Sequence, residues 1–455
     1  MANELYDVVV CGAGMAGIAA AYSLSVNYHK RVLLIDAGAP LSLTSDKSTE
    51  CYRNWWGGPD NAMLSLMNRS ITLMEEHAVE SDNSFLMRPH GYLFATKKKE
   101  EIDRLYQQAK EAESLGVGGL RDITKLSDYK LSNFENPVSE QDGSDLITNK
   151  EIIKALFPYL NKDTVAVLHA RRCGSLSAQQ LGMYLLEKAR EKKCDFQTGK
   201  FIGIETSRGQ VSSVKIEQDG MVKSITTDTL VLAPGPHLKE ILDIVGLDLP
   251  VQVEKHVKIS LPDTLGVVPR DAPLIIWNDP IDLPWTEEEK SHLAGASETE
   301  WLLRTFPPGV HGRPIGAGNQ VLMYWTYDCK TTTYPDFPIV WDPYLPDVTL
   351  RGMAVMVPGL EKYFDPMPRP YVDGGYYTKT EENRPLIGPL KIPGAFICGA
   401  FSGFGIMSAC GAGELLAQHV TNTDLPDYSG AFLPSRYDDP LYRKEIKKWV
   451  VDGQL

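Results

Sequence analysis

The stretch DVVVCGAGMAGIAAAYSLSVNYHKRVLLIDAG, residues 7–38, constrains the fold more than any other part of the chain. Val8, Val9 and Val10 form a short β-branched run of the kind a buried parallel strand uses. Gly12, Gly14 and Gly17 follow as G-x-G-x-x-G. In that pattern the first glycine permits a sharp turn and the second lets a pyrophosphate approach the backbone. The third lets the helix settle on the strand. Ala16, Ala19, Ala20 and Ala21 give the ensuing helix high propensity and a slim side. Val32, Leu33, Leu34 and Ile35 predict a second strand, with Asp36 and Ala37 at its end. A carboxylate there accepts the hydroxyls of an adenosine ribose. A lone G-x-G-x-x-G is a weak signal. Strand, glycines, helix, second strand and acid in register point to a dinucleotide site rather than a ligand-free glycine turn.

The 455 residues suffice for two domains with a large core. A net charge of −13 and the lack of a long basic run argue against nucleic acid as a partner. No apolar run approaches the ~18 residues of a spanning helix. The chain enters its first strand almost at once, which leaves no room for a signal peptide. The seven cysteines are scattered without C-x-x-C. They read as reduced thiols in a cytoplasmic protein, not as a disulfide framework or a zinc site. No His, Cys or Asp group has metal-ligand spacing, so no metal is expected.

After Asp36, the loop 37–58 crowds Ser45, Ser48, Thr49, Arg53, Asn54, Trp55 and Trp56 together. Donors and aromatics in a loop leaving such a fold suit contacts to a cofactor and its substrate. A helix is expected from about Asn61 to His77, then a strand and an amphipathic helix over 90–116. Residues 120–148 have no clear order. A helix opens near Asn149 and a longer one runs within 169–193. Residues 201–225 alternate like a β-meander, and 227–242 read as strand, Gly-Pro turn and helix. From 249 the pattern changes: 249–261 alternates every second residue, and 273–279, 299–306 and 319–328 read as further strands of an antiparallel sheet with one covered face. Helix and loop follow over 348–364. Then a strand at 396–400 and the glycines 399, 403, 405, 411 and 413 place a second glycine-rich turn before a helix. The tail, 421–455, reads as a polar, aromatic surface wrap.

The N-terminal fingerprint, the late T-x-x-x-x-P-x-I-G at Thr380, Pro385, Ile387 and Gly388, and the final strand–SGFG–helix occur in a telling order. The chain resembles the FAD-dependent D-amino-acid oxidase superfamily, which includes sarcosine oxidase, glycine oxidase and dimethylglycine dehydrogenase. The resemblance covers nearly the whole chain, strongly at both ends and thinly in the middle. It implies an α/β fold: a Rossmann-type FAD-binding domain with an interleaved antiparallel β-sheet substrate domain. The FAD-binding domain would comprise 1–85, 149–245 and 371–420, and the substrate domain 86–148 and 246–370, with 421–455 as a C-terminal tail.

The resemblance also assigns residues. Gly12, Gly14, Ala16, Gly17, Asp36 and Ala37 match the ADP-binding segment. Ser45, Ser48 and Thr49 match the loop that bonds the pyrophosphate and flavin. Lys200 and Phe201 fall where backbone meets the adenine, and Ala233 and Gly235 match the A-x-G that closes the nucleotide crevice. Gly399, Ser402, Gly403, Gly405, Ile406 and Met407 match the flavin-ring loop. Arg53 falls where sarcosine oxidase-like enzymes carry an arginine over the flavin.

The departures narrow the reading. Met407 stands where those enzymes have a carboxylate-binding lysine. Tyr377 stands near the D-amino-acid oxidase arginine. Leu322 or Met323 stands where a lysine is credited with oxygen activation. Cys329 is off register for a covalent flavin link, so FAD is expected to be held non-covalently.

Amine oxidation by flavin needs an oriented C–H, a neutral amine and positive charge or a helix dipole near the ring. The helix opening near Gly405 could supply that dipole. A substrate carboxylate calls for a cation. Arg53 is the first candidate, otherwise a structural arginine. Arg313 is the second, otherwise an exposed loop charge. Lys379 and Arg384 are read as surface residues. Of Trp55, Trp56, Trp277, Tyr324, Trp325 and Tyr377, two or three are expected in the pocket and the rest in the core. His256 is a candidate base. His90, His237 and His311 read as solvated or capping residues.

The expected function is FAD-dependent oxidation of a C–N bond in a secondary amine or amino acid, bulky or N-substituted, with O2 or another electron acceptor. The imine formed would hydrolyse. Oxidation of a 2-hydroxy acid is the alternative, and a non-catalytic FAD-binding assembly protein is a third. No second nucleotide fingerprint is present, and oligomeric state is not legible.

Overall fold

The computed structural model describes residues 5–449. The fold is mixed α/β, built on a six-stranded sheet and a ten-stranded sheet. The six-stranded sheet runs Leu386–Pro389, Ala395–Gly399, Leu230–Leu232, Val8–Cys11, Val32–Asp36 and Cys194–Thr198. All neighbours are parallel except the first pair. Both faces are covered, which is why its strands are continuous apolar runs. Val8 and Val10 pack into a core with the helices Met15–Tyr22, Ala62–Glu80, Ala178–Arg190 and Gly405–Thr421. Val9 and Cys11 face a second core. It is roofed by the three-stranded meander Lys200–Ser207, Gln210–Gln218 and Met221–Thr226.

The ten-stranded sheet is mainly antiparallel, with two parallel pairs. At its heart is Gln252–Pro262, paired on one edge with Gln320–Tyr324 and Thr331–Thr332 and on the other with Tyr371–Lys379. His311–Pro314, Leu274–Trp277, Tyr92–Thr96 and Ala166–Ala170 continue it outward. The ordering of 120–148, illegible in the sequence, resolves into Ser144–Ile147 and a short edge strand Leu120–Asp122. Alternation gives the sheet two characters. Ile259, Leu261, Val321, Met323, Ile275, Trp277 and Leu93 enter a core with the helix Leu345–Met356. The opposite face carries Glu254, His256 and Lys258, with Tyr377 across from Glu254, Tyr324 across from Lys258, and His311 across from Tyr324.

Two expectations are corrected. Residues 299–306 form no strand: Glu300–Leu303 is a 3-10 turn. Its buried residues, Leu302 and Phe306, are four apart, a helical spacing. The tail is more than a wrap, because Phe432, Arg436, Tyr437 and Ile446 are buried. Its last six residues lie outside the described part. Among the described residues, no helix is long and apolar enough to cross a membrane.

Candidate active site

A cleft is bounded by Gly14, Met15 and Ala16 at the first helix, Ser45 and Ser48 of the following loop, Ala233 and Gly235, Tyr377, and 398–403 with Gly405 and Ile406. Its geometry begins with close backbone approach. Gly12 has φ 107°, and a Cβ there would lie 2.2 Å from the Ala233 carbonyl oxygen. A Cβ on Gly17 would lie 1.8 Å from the Gly12 carbonyl oxygen. Asp36 accepts from the Ala13 and Gly38 N–H groups at 2.7 and 2.8 Å. Each carboxylate oxygen keeps a further lone pair. Gly199 N–H donates to the Asp36 carbonyl, which sets Lys200 and Phe201 beside that end of the cleft. The Lys200 side chain is exposed, Phe201 is buried in the meander core, and Ala37 is exposed.

The donor set fits a dinucleotide. The helices Met15–Tyr22 and Gly405–Thr421 both open onto the cleft with no side-chain cap on Gly14 or Phe404. The Ser45 hydroxyl accepts from Met15 N–H at 3.0 Å, so the first helix offers an anion its following N–H groups, and the late helix offers its N-terminus to an anion or a ring oxygen. The Ser402 hydroxyl is fully buried and unpartnered at the cleft wall. Ala400 and Ser402 are held at φ 56° and 53°, the kind of backbone strain that gathers at ligand sites. Thr378 ties the two sheets together here: its hydroxyl donates to the Gly235 carbonyl at 2.8 Å, and its carbonyl accepts from Ser402 N–H at 2.8 Å.

Beside the cleft lies a small pocket lined by Ser48, Thr49, Arg53, Tyr92, His311, Tyr324, Tyr377, Gly403, Phe404 and Met407, among others. Arg53 is 4% exposed, and its Nε and Nη1 have no hydrogen-bond partner. Its guanidinium lies over Trp56 at 4.8 Å and Phe404 at 5.7 Å. Burial lowers its pKa, yet a guanidinium stays charged at neutral pH. The result is a desolvated cation with free donors at a pocket wall.

Tyr324 hydrogen-bonds His256 Nδ1, and His256 Nε2 meets Glu254 at 2.7 Å. The His256 ring stacks on Tyr377 at 4.0 Å. Glu254 also binds Lys379 at 3.1 Å. The His256 hydrogen bond, then the Lys379 charge, hold the Glu254 carboxyl down to about 2. Burial lowers the His256 pKa against the pull of Glu254. A neutral imidazole donating through Nε2 and accepting through Nδ1 satisfies both partners. Although the sequence shows no metal spacing, the fold gathers Glu254, His256 and Cys329. Lys379 already takes the carboxylate. Burial pushes the Cys329 thiol up to about 12, and its sulfur lies 3.5 Å from His256 Nδ1. Cys329 lines a different groove, with Lys255 and Trp341.

Several residues fall elsewhere than the sequence suggests. Arg313 is buried, not an exposed loop charge, and is absent from the pocket lining. It donates to the Thr49 and Pro314 carbonyls and lies 3.5 Å from Glu50. His311 is buried at the pocket and bonded to the Gly309 carbonyl at 2.8 Å. Burial lowers its pKa to about 4, so it is neutral at pH 7. His90 is likewise buried. Arg384 is buried and pairs with Asp60, and Lys379 is largely covered. Of the six aromatics, Tyr324 and Tyr377 line the pocket, Trp56 lies under Arg53, Trp55 packs near Phe94, and Trp277 and Trp325 are core. Sequence reading missed His311, Tyr92 and Phe404. The strand alternation that puts His311 opposite Tyr324 is the signal that finds the first.

Lys258 is a further feature the sequence hid. Its ammonium is buried and donates to the Asp46 and Ser48 carbonyls, clamping the cofactor loop to the large sheet. Burial lowers its pKa.

A cleft that fits a dinucleotide thus opens beside a small pocket walled by a buried cation, the arrangement of a dinucleotide-dependent enzyme. A family model described as DAO, FAD dependent oxidoreductase, matches residues 7–419, and the chain belongs to that family. Three solved structures share the fold. L-proline dehydrogenase from P. horikoshii aligns at 20% identity and TM-score 0.71, over 96% of this chain and 98% of its own. Glycine oxidase from Geobacillus kaustophilus aligns at 17% and 0.72, over 95% and 98%. Iminodiacetate oxidase from Chelativorans sp. BNC1 aligns at 17% and 0.68, over 94% and 98%. No curated protein sequence matches the chain.

Proposed function

We propose that this oxidoreductase oxidises the C–N bond of an amino acid or a secondary amine, with the substrate carboxylate on Arg53 and FAD held non-covalently. The observation that carries the reading is the buried Arg53 guanidinium with unpartnered Nε and Nη1. A desolvated charge without a partner is costly. A carboxylate bound bidentately repays that cost. The three similar structures are of proteins named for an amino acid or an imino diacid.

When bound, FAD supplies the acceptor for a hydride from the carbon next to nitrogen. The protein must orient that carbon and keep the amine neutral. Arg53 fixes one end of the substrate. Tyr324 and Tyr377 wall the pocket on the large-sheet side. The substrate ammonium proton has a path along Tyr324 to His256 Nδ1, with Glu254 stabilising the imidazolium formed. The imine product then hydrolyses in water. The protonated Cys329, facing another groove, supports a flavin without a thioether link.

His311 favours a second reading, oxidation of a 2-hydroxy acid. A neutral imidazole at the pocket is the base that a carbinol oxidation needs. An anaerobic titration with amines, N-methyl amino acids, D- and L-amino acids and 2-hydroxy acids separates the readings. The flavin band near ~450 nm bleaches when the substrate is oxidised. Bleaching by amines or amino acids is the expected result, and readmitting air then distinguishes oxidase from dehydrogenase. Bleaching by hydroxy acids alone selects the second reading. A yellow protein that none of them bleaches overturns both.

A further inference from the structure

Next to the pocket is a second, larger chamber of about 400 Å³, within the range of small-molecule sites of ~300–1,000 Å³. The two share Cys51 and Leu274 as a common wall. Three guanidinium groups line the chamber, from Arg88, Arg270 and Arg313, against one carboxylate, Glu50. Arg270 is fixed by the carbonyls of Gln320, Ile315 and Gly316. Arg313 is fixed by those of Thr49 and Pro314. Carbonyls orient these cations without neutralising them. Glu50 lies 3.5 Å from Arg313, and Asp263, outside the chamber lining, acts on Arg270. Arg88 is half-buried, and its side chain has no partner among the described residues. Burial first, then the Arg88 and Arg313 charges, lower the pKa of Arg270 against the pull of Asp263, and burial with the same two charges lowers that of His90 to about 4. A chamber built this way is short of negative charge.

We propose that this chamber is a binding site for the carboxylate of a small organic acid, with Arg88 as its free donor. Two sources share that chemistry: an acidic arm of the substrate whose other carboxylate rests on Arg53, or a separate dicarboxylate. The first source rests on the proposed C–N oxidation; the chamber itself does not.

The test is calorimetric titration of the FAD-loaded protein with glutarate and with butyrate, which needs no turnover. Glutarate is expected to bind at least ~tenfold more tightly than butyrate, as one added charge-assisted contact provides. That preference should vanish in Arg88→Gln. Gln180→Glu, a charge placed at an exposed position on the chamber rim, should abolish it as well and does not touch the core. Equal affinities in the wild type, or a preference that survives both variants, overturns the proposal. Arg53→Met distinguishes the sources: glutarate binding weakens if one molecule spans both sites and is unchanged if the acid is separate. Should no amine bleach the flavin, the function proposed above fails while the calorimetric result still decides the chamber.

Discussion

Arg53 sits among Trp56, Phe404 and Tyr92, three ring faces and no carboxylate. Its worth to the protein lies in binding, since alone it only adds a desolvated charge. Arg53→Met should therefore weaken a non-oxidisable carboxylate by roughly 2–4 kcal/mol, ~30- to ~1,000-fold, read as the perturbation of flavin absorbance on titration. The same variant should unfold no earlier than the wild type. His311 and His90 give a second prediction. Both remain neutral in the fold down to about pH 4, whereas an unfolded histidine protonates near ~6.5. Between those values the unfolded chain binds more protons, so stability falls as pH falls. The contribution is fully present above about 6.5 and is gone below about 4, on the order of 3 kcal/mol for each ring. Denaturant midpoints measured from pH 7 to 4 should show this decline, and His311→Gln should make it shallower.

The cofactor loop is an element held from outside itself. Lys258 donates to the Asp46 and Ser48 carbonyls, Arg313 to that of Thr49, and the Thr44 hydroxyl to the Tyr376 carbonyl. Lys258→Met removes the first clamp and leaves an apolar stem in its place. Faster hydrogen exchange at 44–50 and a weaker hold on FAD are expected, with exchange in the Ile259 and Leu261 core unchanged. The first helix is held from within: Gly17→Val would drive a branched side chain into the Gly12 carbonyl, and the purified protein should be colourless. These elements differ in how they announce themselves. The glycine turn was legible because spacing alone dictates close backbone approach. In KHVKISL the alternation was legible too, and it forecast the strand, but not that both faces of its sheet are covered: Tyr92, Phe94, Leu168, Leu274 and Ile276 enter a second core on the face opposite Leu93, Ile275 and Trp277. What it could not give was the partner strand. Register decides that Tyr324 faces Lys258 and that His311 faces Tyr324, and register depends on contacts far apart in sequence.

At the scale of the whole molecule, the same division explains where reading succeeded. The FAD-binding motifs lie at the two ends of the chain, local in sequence, and the parallel sheet joins them through Leu230–Leu232. The pocket side lies on long-range pairings, so Arg313 was read as the second candidate for the substrate carboxylate, or else as a loop charge, and the tail as a wrap. The tail shows what such misreading hides. Glu382 is buried beside the late edge strand and accepts from Arg436 Nε and Nη2 at 3.0 and 2.8 Å, with Tyr437 and Tyr442 completing its shell. Tyr437 packs into the core behind the parallel sheet, so the tail closes a face of the cofactor fold. Arg436→Met would leave Glu382 charged, dry and short of its cation. Removing one member of such a pair costs about 3–5 kcal/mol. A fall in melting temperature of several degrees is expected in the FAD-free protein. Added FAD should restore part of it, because a ligand that binds only the folded form stabilises by RT ln(1 + [L]/Kd). Glu382→Gln together with Arg436→Met removes both charges and should recover much of the loss. If the double variant is no more stable than the single one, the tail is held by packing of Phe432 and Tyr437 rather than by this ion pair.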